Sequence, residues 1–229
     1  MKTAIVTGAS GNMGQALVAK FLAEGYHVVG TLDPHATVAI DSHGKNFETA
    51  VVDLTNEDAA QQFIDITSAK HTTIDVAILT VGGFAMGKIA DTKTSDIAKQ
   101  YKLNFETAYN VARPVFAQML EQGSGRIFLI GSRPGLDMHN SKGMVGYGLA
   151  KSLIFRLAEL MNDEAKGTDV VTSVVIPSTI DTPQNRKMMP QSDFSKWVKA
   201  EDIANTIHFY CTDTAKTLRE PIIKIYNGA

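Results

Sequence analysis

The chain has 229 residues, 44% of them hydrophobic and 20% charged, an ordinary globular composition that excludes a disordered or fibrous chain. Its formal net charge of -2 gives no broad basic surface for a phosphate backbone, so no nucleic-acid partner is expected. The lone cysteine, Cys211, has no internal disulfide partner, and no apolar run approaches the ~20 residues of a membrane span, so a cytoplasmic protein without a membrane role is expected.

Thr3-Ala4-Ile5-Val6 reads as a strand and not as a signal peptide. From there, short β-branched apolar runs alternate with helical patterns. Strands are expected at 3–7, 27–32, 47–53, 76–80, 126–130, 170–176 and 222–226, and helices at 13–24, 57–68, 94–121, 145–162 and 200–210. Each helix is long enough for a crossover between parallel strands. The expectation is a single doubly wound α/β domain over residues 1–229, with a parallel seven-stranded sheet and helices on both faces. The segment 183–199 breaks the pattern: it is polar but carries Met188, Met189, Phe194 and Trp197, and is a candidate substrate lid or subunit edge.

The first strand runs into Thr7-Gly8-Ala9-Ser10-Gly11-Asn12-Met13-Gly14, which opens directly into a helix. Glycines there allow a tight turn and close approach of a pyrophosphate, whose charge the helix N-terminus favours. Gly8, Ser10, Gly11, Asn12, Met13 and Gly14 are therefore candidate dinucleotide contacts in a Rossmann-type fold. Asp33 ends the second strand about 20 residues beyond the last glycine, where a carboxylate accepts hydrogen bonds from an adenosine ribose and repels a 2′-phosphate. NAD(H) is the expected preference, with NADP(H) also possible; Asp33 before Pro34 also reads as a turn cap. Asp53, with Leu54, closes the third strand and either meets the adenine edge or caps a turn.

Tyr147-Gly148-Leu149-Ala150-Lys151 places a phenol and an ammonium on one helix face. A nearby cation favours the phenolate of a group that otherwise titrates near ~10, making Tyr147 a candidate general acid/base. Ser132 follows the fifth strand at the carboxyl end of the sheet, where ligands of open α/β folds bind. Asn104 falls inside a helix, against its propensity, which points either to a site role or to a polar core bond.

These residues, in this order, resemble the short-chain dehydrogenase/reductase family over essentially the whole chain. The resemblance implies a hydride-transferring oxidoreductase acting on a small substrate, with Asn104, Ser132, Tyr147 and Lys151 as a catalytic tetrad. It also implies that Lys151 holds the nicotinamide ribose, that Asn104 positions a relay water, and that Pro177, Ile180 and Thr182 flank the nicotinamide. The chain departs from the family pattern where Asn12 replaces the central glycine and where Leu79-Thr80-Val81-Gly82 replaces an Asn-rich segment that would bring Val81 and Gly82 to the cofactor. The interval from Ser132 to Tyr147 is longer than usual and implies an extended loop through Met138, His139 and Asn140. Within the family, Val81-Gly82-Gly83-Phe84-Ala85, the stretch 143–151, and Asp181-Thr182-Pro183-Gln184-Asn185-Arg186-Lys187 through Trp197 resemble dihydropteridine reductases, although those tend to carry alanine where Ser132 stands.

A non-catalytic dinucleotide sensor and a nucleotide-sugar epimerase or dehydratase remain as rivals. The first commonly loses the Tyr/Lys pair, and the second usually carries a larger C-terminal region. The family resemblance implies a homodimer or homotetramer through the two long helices. His27, His35, His43, His71, His139 and His208 have no i, i+4 pairing and no cysteine partner, so no metal site is expected.

Overall fold

A computed structural model describes residues 1–35, 44–137 and 141–228. The loop expected through Met138, His139 and Asn140 lies outside the described residues. Seven strands form one sheet: β1 (Thr3–Thr7), β2 (His27–Leu32), β3 (Phe47–Val51), β4 (Val76–Leu79), β5 (Ser124–Ile130), β6 (Asp169–Pro177) and β7 (Ile222–Ile225). Their order is β3-β2-β1-β4-β5-β6-β7, and every pairing is parallel.

The helices are α1 (Asn12–Ala23), α2 (Glu57–His71), α3 (Thr94–Tyr101), α4 (Thr107–Gln122), α5 (Arg133–Leu136), α6 (Val145–Glu164), α7 (Pro183–Met188) and α8 (Ala200–Phe209). Strand alternation sends the two faces of the sheet into separate cores. On β1, Ile5 packs with Phe63, Val115, Met119 and Ile154 of α2, α4 and α6, whereas Ala4 and Val6 pack with Leu17, Phe21, Ile203 and Ile207 of α1 and α8. Fully buried β1 and β4 read as continuous apolar runs because both their faces are covered.

Three local features differ from expectation. The long helix expected over 94–121 is α3 and α4 joined by a π-helical turn, Lys102–Glu106, which contains Asn104. Side-chain periodicity passes through one wide turn almost undisturbed, so the sequence pattern reads as a single helix. Ser132 opens the four-residue helix α5, too short to leave a periodic signature. Trp197 is buried and packs at a tilt against Phe194, ring centroids 4.7 Å apart, and its carbonyl accepts from Asn227 Nδ2. In residues 183–199 it is thus an anchor, while Met188 and Met189 stand exposed.

Two of the histidines meet in space although they are far apart along the chain. His27, at the start of β2, and His71, at the end of α2, both reach the carboxylate of Glu48 on β3. Spacing along the chain conceals this group because its members lie on three separate elements. Among the described residues, no helix is long and apolar enough to cross a membrane.

Candidate active site

The strand order reverses direction between β1 and β4, and the crevice beyond their carboxyl ends is where open α/β sheets hold ligands. Two threonines join the rims: Thr80 Oγ1 donates to the Thr7 carbonyl at 2.6 Å, and Thr7 Oγ1 accepts from the Thr80 N–H at 2.9 Å. Gly8 follows in a left-handed conformation, φ 62°, where a Cβ would lie 3.1 Å from Thr80 Oγ1. Gly14 lies so close under the turn that a Cβ would come within 2.2 Å of the Gly8 carbonyl oxygen. The turn is also pinned to β2, the Gly8 and Ala9 N–H groups donating to Thr31 Oγ1 and to the Thr31 carbonyl.

Gly11 is the N-cap of α1 and supplies no side-chain cap, so the first turn at Asn12 and Met13 opens the helix dipole toward the crevice. Asn12 is exposed there, and Met13 packs partly into the core. The displaced glycine therefore leaves the cradle intact. Ser10 faces it through its backbone, its carbonyl accepting from Gln15 Nε2.

Asp33 stands exposed at the carboxyl end of β2, one carboxylate oxygen accepting from the His35 N–H at 2.6 Å. It is thus a turn cap placed at the crevice. Asp53 accepts from both the N–H and the hydroxyl of Thr55, which hold its carboxyl below the usual range. The Leu54 side chain lies in the core, and its carbonyl accepts from Asn110 Nδ2. Asp53 and Leu54 thus form a turn capped from below.

The expected tetrad divides into two pairs. Asn104 is buried, and its amide clamps Gly83: Oδ1 accepts from the Gly83 N–H at 3.0 Å and Nδ2 donates to the Gly83 carbonyl at 2.9 Å, with Gln100 as a further acceptor. Lys151 is also buried and donates to the Ile130 carbonyl at 2.8 Å. Burial pulls its pKa down to about 8. The two side chains converge on Gly82, where a Cβ would lie 2.7 Å from Asn104 Oδ1 and 3.3 Å from Lys151 Nζ. Gly82 is exposed, and Val81 beside it is half-buried against the core.

In the second pair, the Tyr147 hydroxyl lies beside that of Ser132, whose Oγ accepts from the Gly135 N–H at 3.3 Å. Burial raises the pKa of Tyr147, and the Ser132 hydrogen bond offsets this only in part. The lowering expected from Lys151 is not among the causes of this shift, and the Lys151 ammonium is directed to the Ile130 carbonyl.

Several neighbours were not foreseen. Phe84 meets Tyr147 edge-on, centroids 5.1 Å apart, and is itself about half exposed, at 52%. The loop after β4 is tied to the start of α6 by Gly87, whose N–H donates to Gly143 and whose carbonyl accepts from Val145. Arg133 lies 3.9 Å over the Tyr226 ring and secures the Ser132 turn to the chain beyond β7. Of these, only Phe84 carried a sequence signal, its place beside the double glycine. On the far wall, Pro177 ends β6, Ile180 pairs with Val198, and Thr182 caps α7 by accepting from the Asn185 N–H.

A glycine cradle on a helix N-terminus, an acid at the end of β2, and a lysine beside an open glycine fit a dinucleotide. A family model described as short chain dehydrogenase matches residues 2–193. The chain therefore belongs to the short-chain dehydrogenase family, and it is an NAD(P)-dependent oxidoreductase.

Among its relatives is an uncharacterized oxidoreductase, YvrD, of Bacillus subtilis (strain 168), 25% identical over 99% of this chain and 95% of that protein. Another is the acetoacetyl-CoA reductase of an Acinetobacter species, 27% identical over 87% and 82%. Two solved structures share the fold: ElxO with NADP bound, TM-score 0.88, 21% identical over 99% and 98% of the two chains, and gox2181, TM-score 0.89, 22% identical over 99% and 95%.

Proposed function

We propose that this enzyme moves a hydride between NAD(H) and a small carbonyl or alcohol, with Tyr147 as the proton-transferring catalytic residue. The observation that carries this reading is the placement of the Tyr147 hydroxyl beside that of Ser132, close enough for Ser132 to favour the phenolate, at the carboxyl end of β5. Two hydroxyls held together can share one substrate oxygen, one donating a proton and the other a hydrogen bond.

The glycine turn and the N-terminus of α1 would hold the pyrophosphate, Asp33 the adenosine ribose, and Lys151 the nicotinamide ribose. When bound, the nicotinamide supplies or accepts the hydride. In reduction, Tyr147 O–H would give its proton to the substrate carbonyl oxygen as the carbon takes up the hydride, while Ser132 donates a hydrogen bond to that same oxygen. In oxidation, Tyr147 takes the hydroxyl proton. Asn104 is a positioning residue, because its amide holds Gly83 and thereby the wall that carries Phe84. The preference for NAD(H) rests on Asp33, although ElxO holds NADP in its structure. A homodimer or homotetramer is the assembly we propose, on the strength of the family resemblance.

A second reading, a pterin-like substrate, is favoured by Phe84, whose exposed ring beside Tyr147 offers a flat apolar wall to a planar heterocycle. The testing experiment measures oxidation of NADH and NADPH by the purified protein against quinonoid dihydropterin, quinones and short ketones. NADH-dependent turnover of ketones is the expected result. Turnover of the pterin alone would favour the second reading, and tight cofactor binding with no turnover on any of them would revive a dinucleotide sensor.

A further inference from the structure

At the amino end of the sheet, far from the crevice, three side chains meet that the oxidoreductase chemistry does not use. His27 opens β2, Glu48 lies on the edge strand β3, and His71 closes α2. We propose that His27, Glu48 and His71 bind one zinc-class transition-metal ion, with a fourth position open to water.

Both imidazoles present Nε2 to the same carboxylate oxygen. His27 Nε2 lies 2.8 Å from Glu48 Oε1, and His71 Nε2 makes a short contact with that oxygen. All three ligand atoms fall within 4.8 Å of one another. Zinc takes imidazole nitrogen and carboxylate oxygen at about 2.0–2.2 Å, so small rotations bring the three onto one tetrahedral ion. The two rings lie side by side, centroids 4.3 Å apart and inclined by 33°. They therefore aim their nitrogens at one point.

The setting suits an ion with one open position. The histidine side chains are only 14% and 13% exposed, while Glu48 at 28% marks the mouth. Lys70 engages Glu48 Oε2, the oxygen facing away from the histidines, so the carboxylate is oriented with Oε1 toward them. Two imidazoles with one carboxylate suit zinc better than calcium or magnesium, which favour all-oxygen shells. A bound ion would join the edge strand β3 to β2 and α2. The alternative is a metal-free knot in which Glu48 accepts from both imidazoles.

The test uses the full chain, stripped by a chelator and titrated with zinc against a chromophoric competitor, and separately with cobalt while the visible spectrum is recorded. One zinc per chain is expected, with a rise in melting temperature and the intense cobalt bands of a four-coordinate site. His27→Ala and His71→Ala should each weaken binding by about 100-fold, at or beyond the loss usual for outer-shell changes. His71→Gln keeps a hydrogen-bonding group toward Glu48 without the imidazole and serves if the alanine variants fold poorly. NADH binding reports that each variant is folded. Equal zinc affinity in a folded variant, no zinc uptake by the unaltered chain, or cobalt bands of a six-coordinate ion would each overturn the proposal.

Discussion

The ammonium of Lys151 donates to the main-chain carbonyl of Ile130 across 2.8 Å, so a buried cation joins α6 to the end of β5. Burial holds this lysine at about 8, and keeping it protonated at neutral pH costs the fold roughly 3 kcal/mol relative to water. Because the unfolded chain keeps its proton up to the ordinary lysine value, stability gained from this group appears as pH rises from about 8 and is lost as pH falls through it. Lys151→Met should abolish turnover and yet raise the melting temperature at pH 7 by a few degrees, the gain shrinking toward pH 10.5. Calorimetry across that range checks it, and a large drop in melting temperature at pH 7 would sink the idea.

Tyr147→Phe keeps the ring that packs on Phe84 and removes only the hydroxyl. Turnover should fall by about 10²–10⁴ while NADH binding, followed by fluorescence, stays nearly unchanged. A variant that turned over normally would disqualify Tyr147 as the proton carrier.

The raised pKa of Tyr147 gives the two directions different pH profiles. Reduction needs the protonated phenol and should stay flat through neutral pH. Oxidation needs the phenolate, which takes the substrate hydroxyl proton, and should climb with pH as the phenol ionises. Ser132→Ala removes the hydrogen bond that partly offsets burial, so its oxidation limb should move to higher pH. Stopped-flow rates in both directions decide this; an oxidation limb that stayed in place would detach Ser132 from Tyr147.

Asn104→Ala deletes both hydrogen bonds to Gly83 and strands a main-chain N–H and C=O. A loss of about 2–4 kcal/mol is expected, together with a rise in KM because Phe84 lies next to Gly83. Denaturant melts and steady-state kinetics report the two effects separately. A stable variant with unchanged KM would show that the clamp does not position the wall.

Gly14→Ala forces a methyl to within 2.2 Å of the Gly8 carbonyl oxygen, a backbone atom that cannot step aside. Cofactor affinity should collapse or the protein should fail to accumulate. At Gly11 the corresponding contact is 3.3 Å, and alanine there should be tolerated far better. Parallel NADH titrations of the two variants make the comparison, which fails if the Gly11 variant is the weaker binder.

The sheet was legible in the sequence because buried parallel strands are written as unbroken apolar runs, and β1 and β4 are such runs. The glycine turn and the Tyr/Lys pair were legible because each is local. What escaped depends on contacts between distant segments. No pattern near Asn104 announces that its amide will close on Gly83, and none announces that Lys151 will find Ile130. The meeting of His27 and His71 on Glu48 leaves no local trace, because only the pairing of β2 with β3 and the return of α2 unite them.

The bridge between Ile180 and Val198 closes the base of a chain excursion beyond β6. Asp181 N–H donates to the Val198 carbonyl, and Val198 N–H to the Thr179 carbonyl, so the chain that departs beyond β6 returns to nearly the same point before α8 begins. The stretch from Thr182 to Lys196 therefore projects from this clasp, with Trp197 as its buried rivet and further ties from Asn227 to Ser195 and from Asn185 to Ile180. Such an excursion can be lengthened, shortened or exchanged for another of different chemistry while the sheet keeps its register. One continuous peptide can thus be exchanged while Tyr147, Lys151 and the strand ends around them stay as they stand.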